Sequence, residues 1–498
     1  MITELKSAIR CGVPIISVLS QDEPATVAAI TETLQTRPLI QYDIVRGYRA
    51  INPAGETALQ AILGDADPVL MTDPTTAISA ATDNAPENTV IICCGSQRFL
   101  SDAKTEQAIA NIREPFKRTS RVLILVSSFG TSLPADLSAD IYQISDIPPD
   151  EKQRETIITD MHVAAEIEPP TNGTLETAIT ATRGLSAYAT EQAVALSMSK
   201  NGLNTEQLWQ RWRQSINSTV GLSVDMSGAT MGDIGGLENI KTFSRSIMSG
   251  RDAPAAIIRI EEIEKTMSGT GYGNGGLGDS SGTSQGLLQQ ILTFMQEENQ
   301  TGLIAVGPPG SGKSLCSVAI GSAANIPTIT LDLGALKGSL VGQTEANTRK
   351  ALSVVKSLAG KNALWVATCN GMASLPPELR RRFQYGIWFF DLPAADEREK
   401  IWNIWLKKYP DVARELPVDD GWTGAEIRTA VQIAYRLKVT PKTAAQWIVP
   451  VSKMSAESIE SLRKQANGRY LSASKPGVYT YQQTAAAPVS ASRKIDLE

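Results

Sequence analysis

The sequence predicts an α/β protein, on three observations. Short β-branched runs alternate with longer amphipathic stretches along most of the chain, the pattern of βα units around a parallel sheet. One strand-to-helix junction carries Gly307-Pro-Pro-Gly-Ser-Gly-Lys-Ser314, so a P-loop NTPase core is expected in the second half. The 498 residues exceed one ordinary core, so two or three domains are expected.

In the first half the expected strands are Pro14–Leu19, Pro38–Ile44, Thr89–Cys94, Arg121–Val126 and Asp140–Ile144. Residues 174–218 are helical in period, with Leu185, Ala189, Ala193 and Leu196 on one face. Together residues 1–220 read as an N-terminal domain, followed by a Gly-rich linker at 221–236. A second βα set follows, with strands at Ala256–Ile260, Gly302–Val306, Thr328–Leu333, Leu364–Thr368 and Ile387–Phe390. That set, residues 233–393, is the expected ATPase core. A helical lid is expected over 394–450, then a C-terminal extension over 451–498 whose last residues, from Ala485, read as a disordered tail.

Two segments echo each other: Leu123-Ile-Leu-Val-Ser-Ser-Phe-Gly-Thr-Ser-Leu-Pro-Ala-Asp-Leu137 and Leu364-Trp-Val-Ala-Thr-Cys-Asn-Gly-Met-Ala-Ser-Leu-Pro-Pro-Glu-Leu379. Two unrelated sheets would account for a weak echo; a duplicated domain accounts for its length and for the acidic stretch after each. In the first copy the expected phosphate loop, Ser17-Val-Leu-Ser-Gln-Asp-Glu-Pro24, has neither glycine nor lysine and carries two carboxylates. The first copy therefore reads as degenerate.

Composition narrows the class. The chain is 42% hydrophobic and 20% charged, as in a soluble globular protein, and no apolar run approaches a membrane span. A net charge of −5 disfavours a broad nucleic-acid footprint. One histidine nearly excludes His-based metal or triad chemistry, and five scattered cysteines without ligand spacing suit a reducing cytoplasm.

The chemistry is carried by four segments. In the Gly307–Ser314 loop, glycines let backbone N–H groups converge on phosphates, and the following helix N-terminus adds positive potential. Lys313 is expected to reach the β/γ oxygens of ATP, and the Ser314 hydroxyl to join a Mg²⁺ shell; Gly307, Pro308, Pro309, Gly310, Ser311, Gly312 and Leu315 complete the loop. Ile257-Ile-Arg-Ile-Glu-Glu-Ile-Glu-Lys265 is an apolar strand ending in acids: Glu261 to face Mg²⁺ and Glu262 to orient the attacking water, with Arg259 anomalous in a central strand. Asn370 ends the strand Leu364–Thr368 where open α/β sheets bind ligands. Arg380, Arg381 and Arg382 precede an apolar strand; as a cluster they suit a cation supplied to a neighbouring site.

Together these residues resemble the AAA clade of AAA+ ATPases, and in particular the plastid and cyanobacterial AAA family with a degenerate AAA-like N-terminal domain. The resemblance implies a P-loop AAA+ core with helical lid, preceded by a degenerate AAA-like α/β domain. Asp233-Ile-Gly-Gly-Leu-Glu-Asn-Ile240 is similar to the segment leading into the family's ATPase module, which implies Ile234 and Gly235 near the adenine. Leu331-Asp-Leu-Gly-Ala-Leu-Lys-Gly-Ser-Leu-Val-Gly-Gln-Thr-Glu345 resembles its pore loop, Gly278-Asp-Ser-Ser-Gly-Thr-Ser-Gln285 the segment after its acidic strand, and Thr423-Gly-Ala-Glu-Ile427 its lid motif. Arg382 matches its trans-acting arginine. Glu261 stands where the family has aspartate, Gln343 where it has an acid, and Leu340-Val341 replace the pore-loop aromatic. The acidic block, 253–298, also precedes the P-loop instead of following the pore-loop helix, an order that short junctions at 298–302 and 360–362 permit.

The expectation is an ATP-hydrolysing, Mg²⁺-dependent motor for protein remodelling or assembly. It would act as a homo-oligomer, a hexameric ring, on an unidentified protein partner. The rival is a nucleotide-sensing scaffold with little turnover.

Overall fold

The computed structural model describes residues 1–64, 71–128, 131, 133–146, 148–200, 202–225, 227–264, 283–337, 343–360, 362–371 and 377–481. The expected tail, Leu340, Val341 and most of the Gly278–Gln285 motif lie outside the described residues. The chain forms two compact units, one of residues 1–223 with 334–360 and one of 224–333 with 361–498.

In the first unit, β-branched and aliphatic runs too short for helices make a sheet in the order Gly47–Ala50, Leu39–Asp43, Val90–Cys93, Val122–Ser128, Ile15–Ser20, Tyr142–Ser145. All but Gly47–Ala50 are parallel. Ile15, Ile40, Ile91 and Leu123 feed the core on one face; Ile16, Leu39, Ile92 and Ile124 feed that on the other. Both faces are thus covered, as parallel sheets require. The residues read as one helical stretch separate into helices Asn172–Ala181, Ala187–Ala195 and Thr205–Asn217, with a hairpin, Met198–Ser199 and Gly202–Leu203, between the last two. Leu196, expected on the apolar face, is 54% exposed because its helix has already ended. Helix Gln343–Ala359 belongs to this unit: a Cβ on Gly184, whose φ is +77°, would lie 2.6 Å from the Leu358 side chain.

The second unit contains a parallel sheet with Leu471–Ser472, Ile387–Phe389, Thr301–Val306, Ala363–Cys369, Ala256–Ile260 and Thr328–Leu331 side by side. The strand leading to Glu261 therefore lies between Thr328–Leu331 and Ala363–Cys369, although it precedes Thr301–Val306 in the chain. The junction back into Thr301–Val306 is fixed locally. Asn299 adopts φ +51°, the side-chain Oε1 of the buried Gln300 accepts from Trp365 Nε1 at 2.5 Å, and Gly302 leaves no room for a Cβ, which would meet the Trp365 carbonyl at 2.0 Å. After the sheet come the lid helices Ala395–Lys408 and Gly424–Leu437, packed through Trp402, Trp422, Ile427, Val431 and Ala434. The chain then returns as helix Ala456–Ala466 and strand Leu471–Ser472, an extra strand that the sequence reading missed.

The five core strands of each unit share one spatial order. Ile15–Ser20 takes the place of Thr301–Val306, and Val122–Ser128 that of Ala363–Cys369. The chemistry at the matching strand end differs. In the first unit the Asp22 carboxylate caps helix Glu23–Thr33, accepting from Ala25 N, and Glu23 accepts from Gly95 N at 2.8 Å. The Asp22 carboxylate thus occupies a helix N-terminal donor of the kind that a phosphate would use.

Candidate nucleotide site

The loop after strand Thr301–Val306 is shaped by three glycines. A Cβ on Gly307 would meet the Phe390 carbonyl at 2.1 Å, while Gly310 and Gly312 adopt φ of +78° and +94°. Those left-handed residues turn successive N–H groups toward one concavity, which helix Lys313–Ala323 continues. A cavity of about 280 Å³ opens there. Its lining includes Ile234, Gly235, Gly310, Ser311, Gly312, Lys313, Ser314 and Leu315, all expected from the sequence. Pro309 follows Pro308 in the loop outside that lining, and Gly307 and Pro308 serve through their carbonyls.

Lys313 is buried, 8% exposed, and donates from Nζ to the carbonyls of Gly307 at 2.7 Å and Pro308 at 2.9 Å and to Asn370 Oδ1 at 3.1 Å. Burial pushes its ammonium down to about 8, against the opposing charges of Glu264, Cys369 and Glu262. The Ser311 hydroxyl is buried in the lining and has no partner among the described residues. A buried orphan donor beside a buried cation fits an anionic ligand.

Glu261, Glu262 and Asn370 do not line that cavity, and Asn370 meets it through Lys313. Glu262 adopts φ +47°, and its N–H donates to Thr368 Oγ1 at 3.1 Å, turning the chain out of the strand beside the Asn370 strand. Asn370 Nδ2 lies 3.5 Å from Glu262 Oε1. Asn370 thus touches both Lys313 and Glu262, and the structure brings these three expected residues together. Glu261 is 42% exposed and lies 3.6 Å from Arg259 Nε. Ser314 lines the cavity and Glu261 does not, and no cluster of three His, Cys, Asp or Glu that could hold a metal occurs among the described residues. A Mg²⁺ ion bound here would keep waters and take most of its ligands from phosphate.

Arg259, anomalous in the sequence, is accounted for by its neighbours. It is 8% exposed, donates to Thr330 Oγ1 at 2.8 and 3.2 Å, and pairs with Asp225 Oδ2 at 3.2 Å. Burial alone would raise the Asp225 carboxyl, but hydrogen bonds from Ser227 and Arg259 hold it below its ordinary value. The buried guanidinium is therefore paired, as a buried charge must be.

Arg382 does not line the cavity. It ends helix Pro377–Arg382, with its guanidinium on Gln296 and its carbonyl accepting from Thr301 Oγ1 at 3.2 Å. Arg380 and Arg381 are exposed on the same helix.

The remaining walls come from the lead-in segment and the lid. Glu397 joins them: its carboxylate accepts from Leu237 N and Ala394 N, each at 3.0 Å. A Cβ on Gly236 would collide with Glu397 at 2.3 Å, and one on Gly235 with Ile401 at 2.5 Å. The lid motif closes over the phosphate loop, since a Cβ on Gly310 would sit 2.9 Å from Thr423 Oγ1; Thr423 and Glu426 form the capping box of that lid helix. Sequence reasoning missed six wall residues: Asp391, Pro393, Glu397, Ile401, Trp405 and Arg428. Ile401 and Trp405 are four apart on one helix and Arg428 is one turn beyond Gly424, so helical spacing was the available signal. Each wall carboxylate already has partners. Asp233 bonds to Lys408, whose hydrogen bond is the main cause holding its carboxyl below the ordinary range; Asp391 accepts from Arg463 Nε at 2.9 Å and Tyr479 Oη at 2.6 Å. The cationic side chains that line the cavity are Lys313 and Arg428.

Two family models match the chain. Residues 1–145 match the N-terminal domain of SpoVK-like AAA ATPases, and residues 303–361 match the ATPase family associated with various cellular activities, AAA. The acidic strand Ala256–Ile260 falls outside that second match, ahead of it. Among curated proteins, the uncharacterized AAA domain-containing protein ycf46 of Guillardia theta is 21% identical over 530 residues, covering 94% of this chain and 95% of that protein. Its namesake from Trieres chinensis is 21% identical over 86% of this chain and 87% of its own length, and that from Pyropia yezoensis 29% identical over 35% and 47%. No described helix is long and apolar enough to cross a membrane. The chain thus resembles the ycf46 proteins over most of its length, SpoVK-like AAA ATPases in its N-terminal α/β domain and AAA ATPases in the P-loop segment.

Proposed function

We propose that the second unit binds ATP with Mg²⁺ and hydrolyses it. The observation that carries this reading is Asn370, whose amide bonds to Lys313 on one side and faces Glu262 on the other. Phosphate binding and water activation thereby meet at one residue. In this reading the γ-phosphate lies between Lys313 and Asn370, and Glu262 orients the attacking water and receives its proton. Ser314 and Glu261 would hold Mg²⁺, which supplies charge neutralisation at the β/γ oxygens. Ile234, Gly235, Ile401 and Trp405 form the apolar end of the cavity and suit the base. Arg428 would face the phosphates from the lid.

Arg382, which does not line this cavity, is the candidate arginine for a neighbouring copy in a homo-oligomeric ring, a hexamer by family resemblance. The first unit, with the same strand order and carboxylates at its helix N-terminus, would serve as a degenerate domain for protein partners. Five free cysteines suit a cytoplasmic, reducing setting. Hydrolysis would drive remodelling or assembly of a protein partner. Comparing steady-state phosphate release by the full chain with that of Glu262→Gln tests the reading. Sustained release by the wild type alone supports it; ATP binding without release by either favours the nucleotide-sensing scaffold.

A further inference from the structure

Glu264 lies two residues beyond Glu262, in helical backbone that follows strand Ala256–Ile260. Its Oε1 accepts from the Asn370 backbone N–H at 3.0 Å. Its Oε2 is shielded from solvent. Its charge opposes that of the buried Lys313 ammonium, and the Cys369 thiol lies against it. What the contact does is geometric. Asn370 directly follows strand Ala363–Cys369. The Glu264 bond restrains its backbone while its side chain spans Lys313 Nζ at 3.1 Å and Glu262 Oε1 at 3.5 Å.

We propose that Glu264 is a positioning residue. By holding the Asn370 main chain, it places the Asn370 amide between the lysine that takes the phosphate and the acid that orients the water. This inference rests on the hydrolytic reading above. Glu264 touches neither Lys313 nor Glu262 through a hydrogen bond and is not itself a catalytic group. The contact pairs the two strands that flank the site, Ala256–Ile260 and Ala363–Cys369. They are neighbours in the sheet but separated by 106 residues in the chain. A carboxylate at position 264 is therefore one means by which the early acidic strand and the late Asn-bearing strand act as one site.

The test uses the full chain and compares E264A, E264Q, N370A and E264A/N370A for turnover, Mg-ADP affinity by calorimetry and melting temperature. E264A is expected to lose about 10- to 100-fold in kcat, the usual cost of a misplaced group near a reacting centre, with ADP affinity changed less than about threefold. E264Q keeps an acceptor for the Asn370 N–H and should retain most of the turnover. The double variant should be no slower than N370A, because Glu264 acts through Asn370. Should E264A fail to fold, E264D, whose shorter side chain withdraws the acceptor, carries the same comparison. Wild-type turnover in E264A, or a double variant slowed by the product of the single effects, overturns the inference. A wild type that binds ADP but shows no turnover overturns the hydrolytic reading instead.

Discussion

Replacing Lys313 by alanine perturbs the cavity at its most buried charge. The wild-type ammonium is already desolvated and already aimed, held by the Gly307 and Pro308 carbonyls and by Asn370. Nucleotide binding therefore exchanges those acceptors for phosphate oxygens without a further desolvation cost. Hydrogen bonds to charged partners are worth about 1.5–3 kcal/mol each, so losing one or two at the β/γ oxygens costs about 3 kcal/mol. That is roughly a hundredfold in dissociation constant. The fold should survive: the substitution leaves three acceptors unpaired but also removes a buried cation, two terms of opposite sign. Calorimetric titration of Lys313→Ala with Mg-ATP, beside a thermal melt, reads both. An ATP affinity within about threefold of wild type in a folded protein would refute the placement of the phosphates at this loop.

Four further outcomes follow from the geometry. Glu261→Gln should raise the Mg²⁺ concentration needed for tight ATP binding by about tenfold while leaving Mg-free binding unchanged; an unaltered Mg²⁺ titration would remove Glu261 from the metal shell. Because the Lys313 ammonium is pushed down to about 8 from 10.5, the unliganded protein binds less than one proton there above pH 8. Phosphate favours the charged form, so ATP binding should take up a proton between about pH 8 and 10.5 and weaken as pH rises through that window. By the same sign, the folding penalty of this buried cation is full below pH 8 and relieved toward 10.5. Equal binding enthalpies at pH 8.5 in buffers of different ionisation enthalpy would contradict the proton uptake. Gly184→Ala, which forces a Cβ into Leu358 at a positive φ, should cost the first unit about 2–4 kcal/mol, read as an earlier melting transition. Arg382→Ala should bind ATP normally yet lose turnover, and mixing it with Lys313→Ala should restore part of it; no restoration would argue against a shared site.

Much of the fold was legible because its signals are local. Each of the ten expected strands appears in the sheets, since a β-branched run between polar turns has few alternatives to a buried parallel strand. The phosphate loop was legible for the same reason: Gly310 and Gly312 report backbone conformations that other residues rarely adopt. Arg259 looked anomalous because its partners, Thr330 and Asp225, are 71 and 34 residues away. Glu264 was overlooked in a run of acids, where only the register against Ala363–Cys369 singles it out. Trp405 and Asp391 were missed because a wall residue is defined by what it surrounds. Leu471–Ser472 is two residues long and carries no periodicity; it is a strand because Ala473 N reaches the Phe389 carbonyl at 3.0 Å. Leu196 was misjudged because a helical period was extended through a hairpin.

The claim on which the account turns is that Glu262, Asn370 and Lys313 form a hydrolytic site and not only a binding site. Phosphate release under saturating Mg-ATP, measured for wild type and Glu262→Gln at equal nucleotide occupancy, tests it most directly. The account predicts continuous multiple-turnover release from the wild type and an ATP-loaded, inert Glu262→Gln. Release from the wild type no faster than from Glu262→Gln, with both fully occupied by ATP, would contradict it.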